Sequence, residues 1–296
     1  MRIRPTEAIH FAALAALSIL TVLLRHRLAN PGSLLLRYGI LAVFLVGIGV
    51  LARRMSRLPA PLQLVVDFYS AALIPIVFNT LEPLIEAARG RARDDLLIAA
   101  DRWLFGVDVT VWLQRIVHPR LNDLFFLFYA TYYFLAISLG LILWRRDRAT
   151  ARRYVFTLVL CYYVSYAGYF TIPALGPRFA QAGEYTVSLT TSPLSKAIAD
   201  TINALEKTKF DVFPSGHTMI AVAVLLVARK RAPRTFVTYL TLASGLVIST
   251  VYCRYHYVID VIAGAALAFL TVPLGDRLYD RLVGPGVDPG SPIAFS

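Results

Sequence analysis

Charge is scarce in this sequence: 16% of its 296 residues are Asp, Glu, Lys or Arg, against 57% hydrophobic residues. A water-soluble globule carries nearer ~25% charged residues, so a single core facing water on all sides is excluded, and long apolar segments must organise the chain. A mean hydropathy of +0.62 agrees. Cysteine is equally sparse. Cys161 and Cys253 fall in mid-span and at a span end, which argues against a disulfide between them and leaves no metal-ligand spacing. Acidic residues number few beside the basic ones, giving a formal net charge of +12 that in a soluble protein would point to nucleic acid. Here the arginines lie between apolar runs, so they read as topology signals, and no nucleic-acid partner is expected. Repeats, low-complexity tracts and a soluble domain are all missing.

What is present is a series of apolar windows near 9–24, 34–51, 62–81, 121–144, 154–172, 213–228, 235–252 and 256–274. Each is close to the ~20 residues that cross a bilayer's hydrocarbon core. They predict an all-α polytopic membrane helix bundle of about eight transmembrane helices. The first window follows a short MRIR leader, has no small-residue cleavage site after it, and reads as a retained helix. RRMSR (53–57), RRDRATARR (145–153) and RKRAPR (229–234) are the most basic short connectors, and this span count puts them on one side with both termini. The excess of arginine makes that side the cytoplasm, in a bacterial-type plasma membrane, although the basic link 25–33 falls outside.

The opposite face receives 83–120, 173–213 and the tight turn 253–255. Val109, Trp112, Leu113 and Ile116 recur at helical spacing opposite Asp108, Gln114 and Arg115, which predicts an amphipathic helix lying in the headgroup layer. The 94–118 segment is then either a lid over a site or a connector without a role. Proline and glycine argue against a continuous helix through 173–177.

The stretch FPSGHTMIAVAVLL, residues 213–226, sets Pro214, Ser215, Gly216 and His217 at the mouth of an apolar helix. Unpaired N–H groups of a first helical turn cradle anions, Ser215 adds a hydroxyl, and Gly216 admits a ligand close to the backbone. CRYHYVID, residues 253–260, places His256 and Asp260 four apart at the outer start of the last span, on one helix face. A carboxylate there fixes one tautomer of the imidazole and leaves its other nitrogen as a nucleophile. Taken singly, each motif also fits a structural role, as a helix-end histidine or a buried pair that locks two helices. Together they suit phosphoryl transfer: His256 attacks phosphorus, His217 protonates the departing oxygen and then activates the acceptor, and Arg178 and Arg254 hold the phosphoryl oxygens. This scheme requires no metal and no cofactor. Asp211 stands where it caps the helix or tunes His217, and Asp67 either lines the bundle interior or bonds a neighbouring helix. His10, His26 and His118 read as interfacial. Tyr129, Tyr132, Tyr133, Tyr162, Tyr163 and Tyr166 read as belt or core.

PSGH followed by a helix, a further span and HYVID resembles the type 2 phosphatidic acid phosphatase superfamily. The resemblance implies a six-helix catalytic core with a paired-histidine, metal-independent mechanism. It runs strongly over 150–275, with 62–145 as the first half of that core. The expected division is two accessory helices in 1–58, the core in 59–280 and a tail in 281–296. The pattern departs from the superfamily at Thr171 and Phe179, which stand in place of a lysine and a proline, and at Thr250 in place of an arginine, while Ser249 matches. The GPR at 176–178 and the H-Y-x-x-D form resemble the inositol phosphorylceramide synthase and sphingomyelin synthase branch.

These features lead to an integral membrane lipid phosphate phosphatase, with a lipid phosphate substrate among membrane lipids. The alternative keeps the histidines and passes the phosphoryl head group to an alcohol acceptor. A non-catalytic transporter is the third reading, and it predicts inverted repeats that are missing here.

Overall fold

The computed structural model describes residues 3–205 and 208–283, in which helices joined by loops make up the fold and no strand occurs. The α-helices are α1 (Pro5–Leu23), α2 (Pro31–Ala52), α3 (Ala60–Phe68), α4 (Ser70–Phe78), α5 (Leu81–Arg89), α6 (Asp94–Phe105), α7 (Val109–Trp112), α8 (Pro119–Ala130), α9 (Tyr132–Arg146), α10 (Arg148–Tyr169), α11 (Pro177–Ala180), α12 (Pro193–Leu205), α13 (Gly216–Arg231), α14 (Phe236–Tyr252) and α15 (Val258–Val283). Proline opens α1, α2 and α8, where its missing N–H costs nothing and its fixed φ suits the first turn. Asn30 caps α2 by accepting Ser33 N–H at 3.1 Å.

Every apolar window of the sequence contains a helix. Within the described residues five segments are long and apolar enough to span a membrane alone, α1, α2, 60–78, 233–252 and α15, and α8 with α9 form a sixth bent by 45°. The bend falls at Thr131, whose hydroxyl donates back to Phe128 C=O at 2.6 Å, a contact that competes with the helical ladder. The other two windows became α10 and α13. Five tyrosines lower the hydropathy of α10, and α13 has only 16 residues.

The short α13 lies at the centre, in contact with α9, α10, α14 and α15. Its Met219, Ile220, Ala221, Ala223, Val224 and Ala228 are all buried, so it is apolar nearly all round, as a helix enclosed by others must be. Gly264 on α15 faces the carbonyl of Ser215, and a Cβ there would stand 2.3 Å from that oxygen. Removing the side chain lets the two helices meet backbone to backbone.

One end of the bundle is an ionic cluster. Arg152 pairs with Asp67 at 2.9 Å, Arg4 approaches Asp67 at 3.6 Å and Glu7 at 2.7 Å, and Trp144 donates to Asp67 at 2.9 Å. Lys230 reaches Asp276 at 2.8 Å nearby, and Arg153 pairs with Asp280. The start of α1 and the segments flanking 53–57, 145–153 and 229–234 therefore meet at the same end. The histidine motifs lie at the other.

Several expectations change. The 109–116 segment is a single α-turn, α7, followed by a 3-10 turn over Leu113–Ile116, rather than one amphipathic helix. The helical part of this region is α6, with Trp103, Leu104 and Phe105 exposed on its last turn. The 173–213 segment also contains a helix, α12, beyond the proline- and glycine-containing stretch. His10 is fully buried between Tyr163 and Ser70, each 2.8 Å from a ring nitrogen, so it belongs to the core and not to the interface. Of the expected tail, 284–296 lie outside the described residues.

Candidate active site

Three chain segments converge at the mouth of α13. Ser215 is its cap, with the hydroxyl accepting Thr218 N–H at 3.2 Å and donating to Thr218 Oγ1 at 3.0 Å. His217 thus starts the helix with its ring held at the mouth. The turn after α14 brings in His256. Thr250 C=O accepts both Tyr255 N–H at 2.9 Å and His256 N–H at 3.0 Å, and Arg254 completes the reversal with φ of 65°. The result is direct contact: His217 Nδ1 lies 3.1 Å from His256 Nε2. On the far side of that ring, His256 Nδ1 lies 3.2 Å from Asp260 Oδ2. Both imidazoles and the carboxylate are buried.

His256 and Asp260 meet differently from the expected stacking on one helix face. The helix α15 begins only at Val258, so His256 sits in the preceding turn and folds back onto the carboxylate of the first helical turn. The sequence separation of four is the same in both geometries.

The helix α6 braces this turn. Asp101 accepts Val258 N–H at 2.9 Å and Ile259 N–H at 2.8 Å, satisfying the first amides of α15. Asp94 accepts Leu175 N–H and Gly176 N–H, both at 2.9 Å, and the Tyr257 hydroxyl donates to it at 2.9 Å. Burial pushes the Asp101 carboxyl above its ordinary range, against the pull of the two amides. Burial, followed by the charge of Asp94, raises Tyr257 likewise, so its phenol stays a donor. Neither acid was singled out from the sequence. Their spacing of seven, two helical turns, was the available signal.

Both candidate arginines point to this end. Arg178 donates to Asn203 at 2.9 Å and lies 4.4 Å over the Tyr255 ring. Arg254 donates to Val187 C=O at 2.8 Å and lies 3.9 Å over Tyr185. Arg178 N–H also donates to Arg254 C=O at 2.9 Å, which ties the two segments together. Neither guanidinium has a carboxylate partner among the described residues. Burial pushes Tyr185 up to about 12 and draws Arg254 down from its ordinary value, with Tyr185 opposing the latter shift.

A cavity of about 420 Å³ opens beside His217 and runs into the bundle between α4, α9 and α10. Its walls include Tyr132, Tyr162, Tyr166, Tyr169, Ile74 and Leu158. From Tyr169 to Tyr154, both at its wall, α10 covers ~22 Å at 1.5 Å per residue. Asp211 lines the same cavity as His217 and Gly216.

A family model described as the PAP2 superfamily matches residues 95–274, more than half of the chain. The chain belongs to the PAP2 superfamily. Neither a curated protein nor a solved structure matches it significantly. The PAP2 match takes in both histidines, Asp260, Asp101 and both arginines, and it begins inside α6, so α1 to α5 lie outside it.

Within this PAP2 protein other expected roles shift. The Ser215 hydroxyl is committed to the helix cap rather than turned toward a ligand. Gly216 lies against Tyr169, whose hydroxyl would be 2.5 Å from an added Cβ, so its smallness serves packing at the cavity mouth. Asp67 is bound into the ionic cluster at the opposite end, away from the histidines. Tyr132, Tyr133, Tyr162 and Tyr166, read as belt or core, are cavity walls. The Tyr132 ring centroid is 4.3 Å from that of His217.

Proposed function

We propose that this PAP2 protein is an integral membrane lipid phosphate phosphatase that works through a phosphohistidine on His256. The observation that carries the reading is the 3.1 Å contact of two imidazoles at the rim of a tyrosine-walled apolar cavity. A phosphoryl group entering between the rings replaces that contact. His256 Nε2 forms a bond to phosphorus as the phosphorus–oxygen bond to the lipid breaks, and His217 gives its proton to the departing oxygen. A water molecule then attacks phosphorus, His217 takes its proton, and the nitrogen–phosphorus bond breaks to release phosphate. Asp260 orients His256 throughout. Arg178 and Arg254, fixed by neutral partners, supply the positive charge for the equatorial oxygens.

The cavity supports a lipid substrate, since its walls suit a tail while the phosphate remains at the helix mouth. The topology supports a site on the outer face: the arginine-rich connectors gather at the opposite end, which the positive-inside rule assigns to the cytoplasm.

A second reading makes the protein a phosphotransferase related in chemistry to the inositol phosphorylceramide synthase branch. What favours it is the burial of the pair, with His256 only 2% exposed, which restricts water and leaves room for an alcohol acceptor in the hydroxyl-bearing cavity. The experiment is mass spectrometry of lipid products from the purified protein, with and without candidate alcohols. Release of inorganic phosphate in their absence supports the phosphatase; products formed only with an alcohol present support the transferase; no turnover of any lipid phosphate contradicts both.

A further inference from the structure

The hydrogen-bond chain through the histidines does not end at His217. Its Nε2 lies 3.0 Å from the hydroxyl of Tyr129, a fully buried residue on the last turn of α8. The direction of this chain follows from its other end. Tyr257 N–H donates to Asp260 Oδ2 at 3.2 Å, and the same oxygen faces His256 Nδ1. An oxygen that already accepts a backbone N–H accepts from the imidazole as well, so His256 carries hydrogen on Nδ1 and keeps the Nε2 lone pair that a nucleophile needs. His217 Nδ1, facing that lone pair, is then a donor. A neutral imidazole with hydrogen on Nδ1 presents an acceptor at Nε2, and the Tyr129 hydroxyl is the donor that meets it.

A histidine that serves first as acid and then as base passes through two charge states, and a buried partner must suit both. When the ring is charged, Nε2 bears hydrogen and needs an acceptor. A phenol provides this by turning about its C–O bond, because it is donor and acceptor at once. We infer that Tyr129 is a positioning residue for phosphoryl transfer, whose hydroxyl keeps the Nδ1–H of His217 directed at the phosphoryl group and accepts from Nε2–H in the charged state. This rests on the acid and base roles proposed for His217. The bend at Thr131 serves the arrangement, since it sets Tyr129 and Tyr132, from successive helices, against the same imidazole, with centroids at 4.9 and 4.3 Å.

The substitution Tyr129→Phe isolates the hydroxyl, because a phenyl ring retains the stacking on Tyr255 at 4.4 Å and on His217. The test compares wild type and Y129F on two phosphomonoesters, one with an alkyl and one with a nitrophenyl leaving group, and reads kcat/KM. General-acid catalysis is worth roughly a hundredfold or more, and the nitrophenolate needs little of it. The expected result is a loss of about tenfold or more on the alkyl ester, a change within about threefold on the nitrophenyl ester, and an unchanged KM. Equal losses on both esters, or none on the alkyl ester, overturn the inference. Nitrogen spectra of 15N-histidine-labelled protein give a readout independent of turnover: His217 should show the Nδ1–H tautomer in wild type and lose that preference in Y129F. Identical spectra overturn the inference. Failure of wild type to turn over either ester, or activity surviving His256→Ala, counts against the phosphatase reading itself, and the spectra still decide the role of Tyr129.

Discussion

Tyr257 donates its hydroxyl to Asp94 at 2.9 Å, joining the residue that follows His256 to a helix 163 positions earlier in the chain. Asp94 holds Leu175 and Gly176 with its remaining capacity, so one carboxylate fixes both the turn that carries His256 and the loop that leads to Arg178. The helix α6 is therefore a strut between the two halves of the site.

Substitution of this strut should disturb catalysis from a distance. Hydrogen bonds to a charged group contribute ~1.5–3 kcal/mol, so Asp94→Ala is expected to lower kcat/KM by roughly tenfold or more and to lower the melting temperature. Asp94→Asn, with one acceptor oxygen instead of two, should fall between it and wild type. Steady-state kinetics beside thermal unfolding checks this, and unchanged kinetics in Asp94→Ala would remove the strut from the account.

Close packing at Gly264 makes a second prediction. An added methyl at 2.3 Å from Ser215 C=O must push α13 from α15, and overpacking of this kind costs about 1–3 kcal/mol. Gly264→Ala should lower thermal stability and depress activity at the same time, because the displaced segment leads directly into His217. A conservative substitution at Gly47, where an added Cβ meets nothing within 4 Å, is the control and should leave both unchanged.

The arginines should act on the anion rather than on the fold. Arg178→Gln removes the guanidinium charge at a half-exposed position, so folding should survive and inhibition by orthovanadate should weaken by roughly tenfold. Arg178→Lys keeps the charge but loses the flat stack over Tyr255, and should recover only part of the inhibition. An unaltered vanadate response in Arg178→Gln would exclude it from phosphate binding.

Acid should weaken the bundle through Asp147, which caps α10. Its carboxyl is held below its ordinary range, first by the Thr150 hydroxyl; burial opposes this, and the N–H groups of Thr150 and Ala149 add to the lowering. A lowered folded value means that the unfolded chain binds the proton more readily. The stabilisation is therefore complete above the ordinary carboxylate value of ~3.9 and is lost as pH falls through the lower folded value. Thermal unfolding of Asp147→Asn should show a shallower decline over that acid range than wild type, and an identical decline would contradict the assignment.

Much of this arrangement was legible in the sequence because its signals are local. Apolar windows gave every membrane-length helix, and PSGH and HYVID each placed a histidine at a helix mouth on the same side. What escaped depends on contacts across long stretches of chain. Tyr129 looked like one aromatic among many until the bend at Thr131 turned it onto His217, 88 residues away. His10 looked interfacial because it stands six residues into α1, but the partners that bury it come from α4 and α10. Asp67 was equally ambiguous, since a lone acid in an apolar run is an ion-pair partner or a ligand depending on which arginine packs beside it. Arg152 decided it. Sequence spacing also misled once: a separation of four suggested stacking on a helix, and the chain achieved the same contact with a turn.

The measurement that bears most directly on the mechanism is isolation of the covalent intermediate. Protein mixed with a nitrophenyl phosphate ester and quenched in alkali, which preserves phosphohistidine, should carry one phosphoryl group, and peptide mass spectrometry should place it on His256. The signal should increase in His217→Ala, where the nitrophenyl leaving group still permits formation but the base for hydrolysis is gone. A phosphoryl group on another residue, or full turnover by His256→Ala, would contradict the mechanism.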